Sequence, residues 1–115
     1  RSPQTMQNAK YHVLAAMIDL YWASSNISHA ALMKLEIIPP SPEHLADFVK
    51  NHLAVKGIVT QKQVELVASL YHISRMILHK KMNAMDGVNY DIYRKATIDY
   101  VDTLKKFVER ENGRV

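Results

Sequence analysis

Residues 60–82 read TQKQVELVASLYHISRMILHKKM, and this stretch decides the fold that the sequence predicts. Thr60 and Gln63 stand three positions apart, as the two partners of a capping box do, so a helix is expected from Gln61 to Met82. Its apolar residues recur at helical spacing: Val64, Val67, Leu70, Tyr71, Ile77 and Leu78. This stripe is wide enough to pack on other helices, which favours a helical bundle.

A second line of side chains on the same stretch consists of His72, Arg75 and His79. At about 100° per residue, all three project from one side of the helix. A guanidinium can bind a phosphodiester with two hydrogen bonds, and an imidazole can transfer a proton near neutral pH. The three are therefore the predicted ligand-binding residues of a phosphate or RNA site, with Arg75 and His79 as its candidate catalytic pair. We also expect the guanidinium to lie within reach of one of the histidines. The alternative is a solvated helix face without a ligand.

The composition fits a single helical domain over residues 1–115, which is either whole or cut from a longer chain, since it starts at Arg1 rather than Met. An apolar content of 48% is enough to build a core. The absence of Cys excludes disulfides and cysteine zinc sites, and three Gly cannot supply a glycine-rich phosphate loop. The formal charge of +4 permits a nucleic-acid partner. No apolar run is long enough to span a membrane, so a cytoplasmic protein is expected.

The first helix is expected to begin at Pro3, with Ser2 as its N-cap, and to continue to Leu35. At about 1.5 Å per residue it would span roughly 50 Å, which exceeds the breadth of a compact domain of this size. It must therefore either bend or project. The predicted bend is at residues 24–26, whose Ser-Ser-Asn side chains compete for backbone hydrogen bonds.

The run IPPSP at residues 38–42 cannot stay helical, because proline lacks the amide donor and restricts the residue before it. Ser41 is the expected N-cap of a short second helix that continues to about Val55 and is ended by Gly57.

The C-terminal part of the chain predicts a turn and one more helix. Residues 83–89 contain Asp86 and Gly87 and are expected to form the turn. The last helix is expected from Tyr90 to Glu111, with Asn112 and Gly113 as its stop. No strand alternation is present, so the predicted architecture is an all-α antiparallel bundle of four to five helices.

Metal binding is disfavoured by the histidine spacing. Two imidazoles that bind one ion from a single helix usually stand three or four positions apart, whereas His72 and His79 are seven apart. His44 and His52 are eight apart. We therefore expect no metal site and no cofactor.

Residues 21–79 resemble the HEPN (higher eukaryotes and prokaryotes nucleotide-binding) family of small helical proteins. The resembling features are the small-residue helix with Ala23, His29, Ala30, Ala31 and Leu32, the PSPEH step at 40–44, Phe48, Lys50 and Val55 ahead of Gly57, and a long helix with Leu70, Tyr71 and Arg75. The resemblance implies a helical bundle, often dimeric, that works beside a nucleotidyltransferase or another nucleotide-handling partner. Some members are metal-independent ribonucleases of the toxin–antitoxin type.

Active members of the family carry an Arg followed by a His more than one helical turn later, commonly with a Tyr shortly after it. In this chain Arg75 and His79 are only one turn apart, and Lys81 stands where the Tyr would be. The first hypothesis is therefore a non-catalytic HEPN-like domain that forms a homodimer and binds a nucleotide, RNA or a nucleotidyltransferase. The second is a metal-independent ribonuclease with Arg75 and His79 at a dimer-shared site, and the third is a structural protein-interaction domain.

Overall fold

The structure, a computed structural model, describes the backbone of residues 3–112 and the side chains of residues 12–110. Across this range the chain forms four α-helices and no strand, so the predicted all-α class is confirmed. The helices are α1 (Pro3–Lys34), α2 (Leu45–Val49), α3 (Gln61–Leu78) and α4 (Gly87–Asn112). Ser2 and Gly113, the predicted cap and stop of the outer helices, lie outside the described residues.

Two side-chain contacts give the directions of the long helices. The Ser28 hydroxyl lies 2.6 Å from the Tyr100 hydroxyl, and the Lys34 ammonium donates to the carbonyl oxygen of Val108 at 2.7 Å. The contact residue moves from Ser28 to Lys34 in α1 as it moves from Tyr100 to Val108 in α4, so the two helices run parallel. The connection of residues 79–86 joins α3 to α4 as a hairpin, so α3 runs antiparallel to α4 and α1. The most extensive helix interface is between α1 and α4.

The helix α1 is continuous through residues 24–26, where the sequence suggested a bend. Ser24 donates its hydroxyl hydrogen bond to the Tyr21 carbonyl at 2.9 Å, and Ser28 donates to the Ser24 carbonyl at 2.7 Å. The hydroxyls are thus satisfied within the helix and do not interrupt it. The molecule measures 57 × 25 × 19 Å along its principal axes, so this long helix is accommodated in an elongated bundle.

The proline run breaks the helical path as predicted. A 3₁₀ turn (Pro42–His44), α2 and a π-helical turn (Lys50–Ala54) then form one continuous helical stretch. Ser41 occupies the N-cap position, but its hydroxyl makes no capping hydrogen bond. At the start of α3 the capping box is confirmed in both directions between Thr60 and Gln63.

The core is built from every helix and contains a small polar layer. Its buried apolar members include Met17, Tyr21, Leu32, Leu45, Val49, Leu53, Val64, Val67, Leu70, Ile73, Tyr100 and Leu104. Ser24, Ser28 and Thr97 are buried polar residues of α1 and α4. Small side chains at this interface bring the two backbones close enough for the hydroxyl contact between Ser28 and Tyr100.

Two helix boundaries differ from the prediction by three or more residues. The helix α3 ends at Leu78 rather than Met82, because Lys80 adopts a positive φ of 61° that no helix can continue. The helix α4 begins at Gly87 rather than Tyr90, because the Asp86 carboxylate accepts the backbone N–H of Asn89 at 2.7 Å. The sequence contains this cap as an Asp followed three positions later by an Asn, and the sequence-based prediction missed it.

Within residues 3–112, three helical segments end in the same kind of turn. Its central residue has a positive φ: Glu36 at 63°, Gly57 at 75° and Lys80 at 61°. At Lys80 the residue's own N–H donates to Ile77 O at 3.0 Å, and the next N–H donates to Met76 O at 2.8 Å, which is a Schellman motif. Gly57 was predicted as a stop. The other two were not, because such positions are normally assigned to Gly.

Replacing Glu36 or Lys80 by glycine is expected to raise the free energy of unfolding. An L side chain in the left-handed region is strained, and glycine removes that strain at a smaller cost in unfolded-state entropy, for a net gain of about 0.5–1 kcal/mol each. Gly57→Ala is the matched control, since no atom beyond its two chain neighbours lies within 4 Å of the added Cβ and only the backbone strain should destabilise it. Chemical denaturation measures all three, and a loss of stability in both glycine variants would contradict the argument.

Candidate functional site

An open depression of about 250 Å³ lies at the C-terminal end of α3. It is lined by His72, Arg75, Met76, His79 and Lys81. The three residues singled out from the sequence therefore share one surface, and all three are exposed. The helix places His72 and Arg75 one turn apart, and His79 follows as the residue that caps the helix C-terminus.

Arg75 is positioned by an aromatic ring rather than by an ion pair. Its guanidinium carbon lies 6.0 Å from the centre of the Tyr71 ring, one turn earlier on α3. Among the described residues no carboxylate forms a salt bridge with it, whereas Arg94 and Lys95 are both paired with Asp91. The guanidinium therefore keeps its hydrogen-bond donors for an external acceptor.

The charge of Arg75 reaches the neighbouring helix. Burial raises the pKa of the Tyr21 hydroxyl, while its hydrogen bond with Ser25 and the positive charge of Arg75 act in the opposite direction. Tyr21 belongs to α1, so Arg75 is near enough to have a small effect on a buried hydroxyl of the neighbouring helix.

Lys81 joins the site through the turn that ends α3. Its backbone N–H returns to the Met76 carbonyl, which directs the chain back over the last helical turn and brings the Lys81 side chain to the depression. Sequence reasoning missed this residue, because a helix continuing to Met82 would have placed Lys81 by helical periodicity. The left-handed backbone of Lys80 is the feature that decides its position.

The two histidines do not form a linked catalytic pair with the arginine. Within the described part of the chain, no hydrogen bond joins Arg75 to His72 or to His79; they line the same depression separately. The expectation of direct reach between these side chains therefore stays a prediction.

Basic residues in the last turn of a helix also stabilise that helix, because its C-terminal carbonyls carry partial negative charge. This effect, typically about 0.3–1 kcal/mol per residue, accounts for basic side chains at the end of α3. This helix-end effect does not explain why the basic side chains line one depression, or why no carboxylate lines it with them. The convergence of four polar or cationic side chains is the additional feature of this site.

A larger concavity of about 850 Å³ lies elsewhere, between the turn at Gly57 and α4. Its charged lining combines the cations Lys56, Lys106 and Arg110 with the carboxylates Asp99, Asp102 and Glu109. The Lys106 ammonium lies 3.2 Å from the Asp102 carboxylate, so part of this charge is already compensated. The balanced lining does not favour an anion, and the smaller basic depression remains the candidate site despite its size.

No group of three metal-binding side chains occurs among the residues that the structure describes. No helix in the described range is long and apolar enough to cross a membrane. Comparison of the chain with models of known families, with curated proteins and with solved structures finds no match. The fold and the site thus define an all-α helical bundle with an exposed basic depression.

Proposed function

We propose that this chain is a HEPN-like helical domain that binds a nucleotide or RNA without cleaving it. His72, Arg75 and His79 would hold a phosphate group, with Lys81 as a further cation. The observation that supports the proposal is the depression at the end of α3, whose charged and polar lining contains donors and no carboxylate. A guanidinium with unoccupied donors is well suited to a phosphate, which accepts two parallel hydrogen bonds from it.

Metal-independent ribonuclease activity of the toxin type is the second candidate, because Arg75 and His79 line the same depression. Such cleavage needs one group to accept the 2′-hydroxyl proton and another to stabilise charge on the phosphorane, both within hydrogen-bond reach of one phosphate. His79 stands one helical turn after Arg75, closer than in the active members that the chain resembles. We therefore place this candidate behind simple binding.

The proposal includes a protein partner, either a second copy of the chain or a nucleotidyltransferase. A mainly apolar groove between α1 and α4 is lined by Leu20, Ala23, Ile98 and Val101, none of which lines the depression, and it gives a partner a surface to cover. A homodimer is the expected state in solution. Light scattering at micromolar concentration tests it, and a monomer would favour a heterologous partner or a purely structural interaction domain.

The binding proposal is tested by titrating the purified chain with labelled single-stranded RNA and with mononucleotides at two salt concentrations. Saturable binding that weakens as salt rises is expected, because phosphate contacts release counterions. The same RNA is incubated with the protein in chelator, where no cleavage is expected. Absence of binding at low salt contradicts the proposal, and chelator-resistant cleavage favours the ribonuclease instead.

A further inference from the structure

A row of aromatic rings connects α1 to the basic depression on α3. The rings of Trp22 and Tyr21 have centroids 5.2 Å apart, and those of Tyr21 and Tyr71 are 6.1 Å apart. The Tyr71 ring then lies 6.0 Å from the guanidinium carbon of Arg75. These three rings form an aromatic row, which consists of Trp22, Tyr21 and Tyr71. It joins a cation to an indole through two intervening rings, although the chain separates Trp22 from Arg75 by more than fifty residues.

The outer end of the aromatic row is open to solvent. Tyr21 is 8% exposed and belongs to the core, whereas Trp22 is 54% exposed. The Trp22 ring is tilted by 59° relative to the Tyr21 ring beside it. Trp22 thus contributes little to the core for a residue of its size, and its exposed surface is available for a ligand.

We propose that Trp22 forms a base-stacking subsite, so that the ligand is a single-stranded oligonucleotide with one phosphate at Arg75 and a base further along the strand stacked on the indole. This inference rests on the proposed phosphate site and goes one step beyond it. Single-stranded nucleic acids are bound by the combination present here, in which cations contact the backbone and aromatic faces stack the bases. The positive depression selects a polyanion over an apolar partner.

The geometry separates this ligand from a mononucleotide and from a duplex. The rings of Tyr21 and Tyr71 lie between the indole and the guanidinium. A nucleotide whose phosphate contacts Arg75 therefore does not reach Trp22 with its own base, and a base further along the strand stacks there. In a duplex the bases are stacked on each other and are not free to stack on Trp22. The expected order of affinity is therefore single strand, then duplex, then mononucleotide.

Trp22 is the only tryptophan of the chain, so its fluorescence reports this subsite directly. The probe is an oligouridylate of about eight nucleotides, a length within the range of single-strand binding sites. Titration into the wild-type protein is expected to quench the tryptophan fluorescence saturably, while uridine monophosphate and a duplex of equal length leave it nearly unchanged. A labelled copy of the oligouridylate gives the dissociation constant independently by fluorescence anisotropy.

Trp22→Leu is expected to weaken binding of the labelled strand about tenfold, and Trp22→Phe is expected to recover part of the loss. Met33→Ala is the matched control, because Met33 is 57% exposed on the same helix and lies outside the aromatic row. All three variants change exposed side chains, and circular dichroism verifies that each remains folded.

The outcomes distinguish the subsite from the phosphate site. Binding that needs Arg75 but occurs without quenching and is unaffected by Trp22→Leu overturns the subsite and leaves the proposed function intact. Equal binding of strand and duplex also overturns it. Binding that is insensitive to Arg75→Ala overturns the proposed function. Protection of Trp22 from a soluble quencher such as acrylamide on concentrating the RNA-free protein would show that a second copy covers the indole, which likewise contradicts the subsite.

Discussion

Arg75→Ala is expected to weaken the binding of single-stranded RNA about tenfold, because it removes the one guanidinium of the depression. A hydrogen bond to a charged group contributes about 1.5–3 kcal/mol, and the lower end of that range applies at an open surface. The slope of binding affinity against salt concentration should fall by about one counterion. Fluorescence anisotropy at several salt concentrations measures both quantities.

Lys62→Ala is the matched control, since Lys62 is an exposed cation at the opposite end of the same helix. Its loss should leave the affinity within experimental error of the wild type. Arg75→Lys keeps the charge but not the planar fork, so an intermediate affinity is expected if the phosphate is held bidentately. Equal losses in Arg75→Ala and Lys62→Ala would show that only net charge matters and would remove the assigned site.

His79→Ala should leave any cleavage of the same RNA unchanged. His79 caps α3 only one turn after Arg75, whereas the histidine of the active members that the chain resembles comes later. A difference of one residue in this spacing rotates the side chain by about 100° around the helix. The spacing by which a general base follows the arginine in the active members that the chain resembles is therefore absent. Chelator-resistant cleavage by the wild type that disappears in His79→Ala would assign ribonuclease activity to this pair.

The wild-type protein is expected to lose about 2–3 kcal/mol of stability between pH 10 and pH 12 through one buried tyrosine. Burial raises the pKa of Tyr100 from 10.0 to about 12. Below pH 10 both the folded and the unfolded chain hold the phenol proton, so the full contribution of protonated Tyr100 to the free energy of unfolding is present. Above pH 10 the unfolded chain releases the proton while the folded chain retains it, so unfolding becomes more favourable until the folded pKa is passed.

Burial is the reason that the folded state holds this proton, and the hydrogen bond with Ser28 lowers the pKa of Tyr100 only in part. Ser28 has a single hydroxyl proton and donates it to the Ser24 carbonyl at 2.7 Å, so Tyr100 must be the donor in its 2.6 Å contact with Ser28. A phenolate at Tyr100 could accept a hydrogen bond from Ser28 only if Ser28 released the Ser24 carbonyl, so this contact offsets only part of the desolvation cost. Deprotonation of the folded protein therefore places a charge in the buried contact between α1 and α4, which costs free energy.

Chemical denaturation from pH 8 to pH 12 measures this effect as the difference between the wild type and Tyr100→Phe. The variant is expected to be less stable at neutral pH, because it loses the hydrogen bond to Ser28, and to show a shallower decline above pH 10. Tyr90→Phe, at a half-buried position without this contact, serves as the control and should decline like the wild type. Parallel pH profiles for the wild type and Tyr100→Phe would contradict the assignment.

Local sequence predicted the features that short-range interactions control. The capping box at Thr60 and Gln63 depends on residues three positions apart, and the stop at Gly57 depends on the conformational freedom of one residue. The proline run breaks the helix for reasons internal to that run. The common surface of His72, Arg75 and His79 follows from helical periodicity. None of these requires knowledge of which helices touch.

The stretch at residues 60–82 was less central to packing than its pattern indicated. The largest interface joins α1 to α4, through buried small and polar residues such as Ser28 and Thr97. Hydropathy patterns give such residues little weight, because their burial depends on a close backbone approach and on partners distant in sequence. The left-handed residues Glu36 and Lys80 escaped prediction for a related reason, since packing on either side of the turn imposes a conformation that their side chains disfavour.

The sequence by itself determined the all-α class, the start of α3, the break at the prolines and the shared face of the three candidate residues, because local hydrogen bonds and helical spacing control each of them. Only the tertiary structure decided that Lys81 returns to the depression, that Tyr100 donates to Ser28 and that Trp22 is connected to Arg75 through two tyrosine rings. These contacts join residues on different helices or across a left-handed turn. They depend on how the helices pack in three dimensions, which local patterns do not encode.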